Sequence, residues 1–196
     1  MLADTSDLSG QNPSVFINPK VKNVSCYGLN DASIELLLSD TSLVRELYWP
    51  QGDSGLMLNN LSAGKYPYSL TTKMGCVYSD TIAITQPDSL TLNFEKQDIR
   101  CHGDSNGMIK GVVKGGTKPY NFKWDIGDST KQLSALGPGK YKLNILDSNG
   151  CQVNDSTTIF EPEKLDFSVQ KHGPQCHGDS NGTISIQPLG GTPDRK

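Results

Sequence analysis

The chain has 196 residues, 20% of them charged, with Lys+Arg 18 against Asp+Glu 21 and a formal net charge of -3. A slight acidic excess excludes the clustered Lys/Arg that nucleic-acid binding needs, and no apolar run of about 18 residues offers direct membrane insertion. Hydrophobic content is a modest 35%, Gly 20 and Pro 11 suit a turn-rich β protein, and the odd cysteine count of 5 requires an explanation.

The opening residues Met1-Leu2-Ala3-Asp4 carry neither the basic nor the apolar region of a secretory signal. Residues 1–15 are read as the end of a preceding repeat, or as residues foreign to it. From there the chain repeats itself. Cys26 to Cys101, Cys76 to Cys151 and Cys101 to Cys176 share one spacing (101 − 26 = 151 − 76 = 176 − 101 = 75). Trp49 maps to Trp124, Gly52-Asp53-Ser54 to Gly127-Asp128-Ser129, and Gly64-Lys65-Tyr66 to Gly139-Lys140-Tyr141. Gly75-Cys76 maps to Gly150-Cys151. With 16–90 laid on 91–165 without a gap, 19 of 75 pairs are identical. The run from Cys101 to Gly107 recurs unchanged from Cys176 to Gly182. The predicted organisation is a first module at 16–90, a second at 91–165, and a truncated third at 166–196.

Within the second module, Ile109 and Val113 mark one strand. Tyr120, Phe122 and Trp124 alternate with polar neighbours, as do Tyr141, Leu143 and Ile145, and Ile159 marks another strand. Asn106-Gly107, Asn149-Gly150 and Asn181-Gly182 signal hairpins, since Asn-Gly accepts the positive φ values of a type I′ turn. No window shows helical periodicity. Six or seven short strands in about 75 residues predict an all-β chain of tandem small antiparallel β-sandwich modules of immunoglobulin-like type. A tyrosine corner two residues before the second Cys is absent. Tyr66, Tyr141, Gly75 and Gly150 are read as core and turn positions. Residues 166–196 supply only two of the strands a module needs.

Repeated cysteines serve a disulfide or a metal. Thiolate metal sites usually bring Cys-x-x-Cys pairs or interleaved His, whereas the two cysteines of each module here stand far apart in the chain (76 − 26 = 151 − 101 = 50). The preferred reading is a disulfide within each module, Cys26–Cys76 and Cys101–Cys151, over free buried thiols or a metal. Such a loop is worth about 4 kcal/mol in the chain-entropy model, a large share of the stability of so small a domain. Disulfides imply an oxidising compartment and hence export. Cys176 is left unpaired because its mate, one such spacing further on, falls beyond residue 196.

Other candidate chemistry yields to simpler readings. His172, Cys176 and His177 resemble a ligand set, but the first module has Tyr27 where the later ones have His102 and His177. Asp104-Ser105-Asn106-Gly107 looks like the start of a calcium loop, yet no bidentate Glu follows at the required spacing. Gly115-Gly116-Thr117 and Gly190-Gly191-Thr192 are not followed by the helix or Lys-Ser/Thr pair of a phosphate loop. Asp53/Asp128 and Asp80/Asp155 recur, as turn and cap residues do. No Ser/His/Asp or Cys/His set recurs in both full modules. The expectation is no enzyme, no catalytic residue, no cofactor and no metal. Trp49 and Trp124 sit at alternating strand positions, which favours core over a sugar-stacking platform.

The pattern Cys-His-Gly-Asp-Ser-Asn-Gly-x-Ile, then Gly-Gly-Thr-x-Pro-Tyr-x-Phe-x-Trp, then Leu-x-x-Leu-x-x-Gly-x-Tyr, Leu-Asp-Ser-Asn-Gly-Cys and Glu-Pro-x-x-Leu is carried almost entirely by 101–165. It resembles the SprB repeat of giant surface adhesins in Bacteroidota. The first module departs at Asp40-Thr41-Ser42-Leu43-Val44-Arg45, and the third at Pro193-Asp194. The resemblance implies an extracellular cell-surface protein, exported by type IX secretion and used in gliding motility. The expected role is a non-catalytic adhesion segment, a semi-rigid spacer or surface-binding stalk, since Pro87 and Pro162 stiffen the short links. Expected partners are neighbouring repeats and a surface polysaccharide or another surface component. A carbohydrate-binding module and an accessory domain of a secreted enzyme remain the alternatives.

Overall fold

Alternation decides which face each strand buries. Along Gly64–Thr72, Tyr66, Tyr68, Leu70 and Thr72 point inward while Lys65 and Pro67 face solvent, the period of a half-buried strand. The computed structural model describes residues 15–192. The segment read as the end of a preceding repeat lies, but for Val15, outside the described residues, as does the departure at Pro193-Asp194. The chain divides between Asp88 and Ser89 into two compact units.

The first unit holds strands β1 (Ile17–Lys22), β2 (Ala32–Leu38), β3 (Val44–Tyr48), β4 (Met57–Leu61), β5 (Gly64–Thr72) and β6 (Val77–Ile84). They form two three-stranded antiparallel sheets, β1-β2-β4 and β3-β5-β6. Ile34, Leu36 and Leu58 from one sheet meet Leu47, Tyr66, Leu70, Ile82 and Ile84 from the other in a single core. The second unit repeats this with β7 (Thr91–Gln97), β8 (Gly107–Lys114), β9 (Asn121–Trp124), β10 (Gln132–Leu136), β11 (Gly139–Leu146) and β12 (Gln152–Ile159). Its sheets are β7-β8-β10 and β9-β11-β12, around Ile109, Trp124, Leu143, Ile145 and Ile159. The all-β class and the small antiparallel sandwich are those expected, with six strands each.

A hairpin of β13 (Asp166–His172) and β14 (Thr183–Leu189) completes the second unit. It is the third copy of β1-β2. Ile34 and Ile109 are 0% exposed under their opposing sheets, whereas the equivalent Ile184 is 68% exposed. Among the described residues the only helical turn is a short 3-10 segment, Thr41–Leu43, capped by the Asp40 carboxylate, which accepts from Ser42 N at 2.8 Å. It occupies the place of Gly115-Gly116, both of which take positive φ (71° and 60°) in the second unit.

The Asn-Gly pairs do not build the expected type I′ turns. At β11–β12 only Gly150 takes positive φ (85°), while Asn149 does not. The loop is closed instead by Gly150 N donating to Asp147 O (3.1 Å) and Asp147 N to Cys151 O (2.9 Å). Asn106-Gly107 is no turn at all: the Asn106 side-chain carbonyl accepts from Arg100 N (3.1 Å), and Gly107 begins β8. Asn181 likewise accepts from Gln175 N (3.4 Å), and Gly182 has no positive φ. Gly107 is glycine because of close approach. A Cβ there would stand 2.9 Å from Ile159 Cγ2 and 2.9 Å from the Leu136 carbonyl oxygen. Gly107→Ala is therefore expected to lower the unfolding free energy by about 1–3 kcal/mol in chemical denaturation. Gly137→Ala, which meets open space, should stay within about 0.5 kcal/mol.

Candidate functional site

The first cysteine of each copy sits on a loop whose hydrogen bonds recur three times. Leu29 N donates to Cys26 O, Asp104 N to Cys101 O and Asp179 N to Cys176 O. Gly28, Gly103 and Gly178 each take positive φ just after the cysteine. In each full module the loop is tied to the end of the last strand. Val24 N donates to Thr85 O (3.1 Å), Thr85 N to Asn23 Oδ1 (2.9 Å) and Gly28 N to Gln86 Oε1 (2.9 Å). The second module matches with Ile99 N to Phe160 O (2.9 Å), Phe160 N to Asp98 Oδ1 (3.0 Å) and Gly103 N to Glu161 Oε2 (3.0 Å).

That tie overturns the pairing expected within modules. The second cysteine, Cys76 or Cys151, immediately precedes the last strand, while the first stands beside that strand's far end. Eight residues of strand separate them, roughly 26 Å at about 3.3 Å per residue. A disulfide needs Cα atoms about 4.4–6.8 Å apart. Neither Cys26–Cys76 nor Cys101–Cys151 forms. Cys26 and Cys151 are the disulfide-bonded cysteines, whereas Cys76, Cys101 and Cys176 carry exposed free thiols. Sequence spacing alone is blind to strand direction, and direction decides the matter.

The remaining predicted residues serve the fold. Trp49 and Trp124 are 0% and 1% exposed, so neither indole is available as a sugar platform. Each places its Nε1–H on a backbone carbonyl further along the chain, Trp49 to Gly55 O (3.0 Å) and Trp124 to Thr130 O (2.9 Å). Gly52 and Gly127, at positive φ of 93° and 90°, turn the chain back between donor and acceptor. Tyr66 donates its hydroxyl to Ser62 O (2.9 Å) and Tyr141 to Gly137 O (3.0 Å). This is a tyrosine-corner contact, set further ahead of the second cysteine than in the immunoglobulin arrangement. Gly75 and Gly150 take left-handed conformations in the β5–β6 and β11–β12 turns.

Asp147, which the sequence marks only as part of the hairpin run Asp147-Ser148-Asn149-Gly150, is a positioning residue. It is buried and accepts three backbone N–H groups: Thr117 at Oδ2 (2.8 Å), with Asn149 and Cys151 at Oδ1 (both 2.9 Å). The first module has Thr72 there, whose hydroxyl accepts from Cys76 N (3.1 Å). Among the described residues no group of three or more His, Cys, Asp or Glu is placed to hold a metal. His102 Nδ1 instead lies 3.2 Å from Pro162 O and 3.6 Å from Glu161 Oε2. Along β9-β11-β12 a shallow groove is lined by Lys123, Asp125, Lys142, Leu143, Asn144 and Ser156 among others. Asn144 Oδ1 there is buried without a hydrogen-bond partner.

Recurring structural detail at a fixed period, on paired three-stranded sheets, defines a tandem all-β repeat protein. Residues 93–129, within the second module, match the family model of the SprB repeat. No curated protein matches the chain.

Asp147→Ala should cost about 2–4 kcal/mol in denaturant unfolding, because three donors at a largely buried turn lose their acceptor. Acid should also destabilise the protein. Burial pushes the Asp98 carboxyl up, but hydrogen bonds from Phe160 N and Lys96 outweigh it and hold the group below its ordinary value. The Thr130 hydroxyl and backbone hold Asp128 low as well. Such groups contribute stability above the unfolded value, about 3.9 for Asp, and lose it as pH falls through the folded one. Thermal midpoints should drop below pH 4, and Asp98→Asn should shallow that drop.

Proposed function

We propose that the chain is a non-catalytic structural and adhesion segment of a large secreted cell-surface protein, each module acting as a semi-rigid spacer unit. The observation that carries this is what the repeat preserves. The indole pocket and the tyrosine hydroxyl contact return in both full modules and the cysteine loop in all three copies, and all of them hold the fold. Titratable side chains return only in part: Asp53/Asp128 and Asp80/Asp155 recur, but His102 stands in place of Tyr27 and Asp147 in place of Thr72. A spacer needs reproducible modules, not reproducible chemistry. The SprB repeat at 93–129 supports placement at the cell surface, and a role in gliding with export by type IX secretion is the specific form proposed. Its partners are neighbouring repeats and a surface polysaccharide or other surface component.

Limited proteolysis of intact source cells should release peptides from 91–165. Release only after lysis would overturn the surface reading. Excision of 91–165 as a unit should leave export intact, since it removes one whole module. A second reading, glycan binding, is favoured only by the groove beside Asn144, whose Oδ1 has no hydrogen-bond partner. It predicts polysaccharide retention that Lys142→Glu abolishes.

A further inference from the structure

We propose that Cys101 is one half of a disulfide between consecutive modules, the first cysteine of one module bonding the second cysteine of the next. The inference rests on the repeat and on the second unit's geometry, not on the surface role.

The second unit contains a junction between copies. Thr192, after β14 in the third copy, donates its hydroxyl to Arg100 O (3.0 Å), the residue before Cys101. A groove at this junction is lined by Arg100, Cys101, His102, Leu165 and Thr192. The complete second module shows what accompanies that threonine. Its equivalent is Thr117, one period earlier (192 − 75 = 117), and the β11–β12 turn grips it. Thr117 N donates to Asp147 Oδ2 (2.8 Å), Ser148 N donates to Thr117 O (3.0 Å), and Asn149 Nδ2 donates to Thr117 Oγ1 (3.1 Å). The other oxygen of the same Asp147 carboxylate accepts from Cys151 N (2.9 Å). One carboxylate thus ties the threonine loop to the second cysteine. In a complete third copy the second cysteine arrives beside Thr192, at the end of the second module that presents Cys101.

The separation that follows for a bonded pair is one repeat period plus the spacing between the two cysteines of a module. Cys26 and Cys151 are so separated (151 − 26 = 75 + 50), and they are the two disulfide-bonded cysteines. For Cys76, Cys101 and Cys176, the position at that separation in the required direction falls outside 1–196, and these are the free thiols. Bond formation removes two protons and two electrons from the two thiols. A protein or low-molecular-weight disulfide takes them up and is itself reduced to two thiols.

Nonreducing peptide mapping of the oxidised chain tests the rule. One linked peptide pair holding Cys26 and Cys151 is expected, with Cys76, Cys101 and Cys176 alkylated. A Cys26–Cys76 or Cys101–Cys151 peptide, or five alkylated thiols, overturns it. The chain continued after Thr192 with a copy of residues 118–165 supplies the missing mate. Cys101 should then resist alkylation and map to the appended second cysteine, while a Cys101 that remains alkylatable overturns the proposal. Cys151→Ser keeps the test independent of that longer chain: it should free the Cys26 thiol and no other.

Discussion

The indole at the end of β3 or β9 is the constraint on which each sandwich depends. It is the largest fully buried side chain of each module and stands where the chain leaves one sheet for the other. Burying it removes a large apolar area from water, but its N–H must find an acceptor inside. The loop of Gly52 or Gly127 supplies one by folding the chain back so that a later carbonyl faces the ring. That return also starts β4 or β10 on the opposite sheet. A single buried donor thereby couples the core, the crossover and the strand order. Tyr68 packs beside Trp49 at 5.4 Å between centroids, and Phe94 beside Trp124 at 6.1 Å, so the supporting ring comes from different strands in the two modules. The indole pocket is preserved while its neighbours vary.

Much of this was legible in the residues. The period, the alternating strands around Tyr120–Trp124 and Tyr141–Ile145, and the indoles all follow from spacing and polarity, which act locally. Contacts set by chain direction were not legible. The cysteines of one module share a repeat but not an end of the sandwich, and only the parallel course of its first and last strands shows it. Bulges escaped for another reason. Asn60 and Ala135 both take positive φ, at 56° and 55°, where β4 and β10 slip register against their neighbours. Those residues share no chemistry, so the shared conformation is imposed by the pairing around them. The Asn-Gly pairs misled because at positions 106 and 107 the asparagine serves as an acceptor and the glycine as a space saver.

The contrast between Thr72 and Asp147 shows how a repeat tolerates change. The same turn needs an acceptor for the backbone N–H of the second cysteine, and either a hydroxyl or a carboxylate provides it. The carboxylate of the second module takes two further donors, Asn149 N from the turn itself and Thr117 N, which the Gly-Gly-Thr loop brings into range. In the first module the 3-10 turn at Thr41–Leu43 takes that loop's place. Loop and turn residue therefore change together.

The direction of the first and last strands has a mechanical consequence. In the first module β1 and β6 both run toward the end where Val24 meets Thr85, so the chain enters at one end of the sheets and leaves at the other. A tensile force through the backbone is then directed along β1 and along β6. The six registered pairs between β1 and β2 are loaded together in shear rather than parted one after another. A module with entry and exit at the same end would unzip under the same pull, so this strand order suits a protein that carries load along its length.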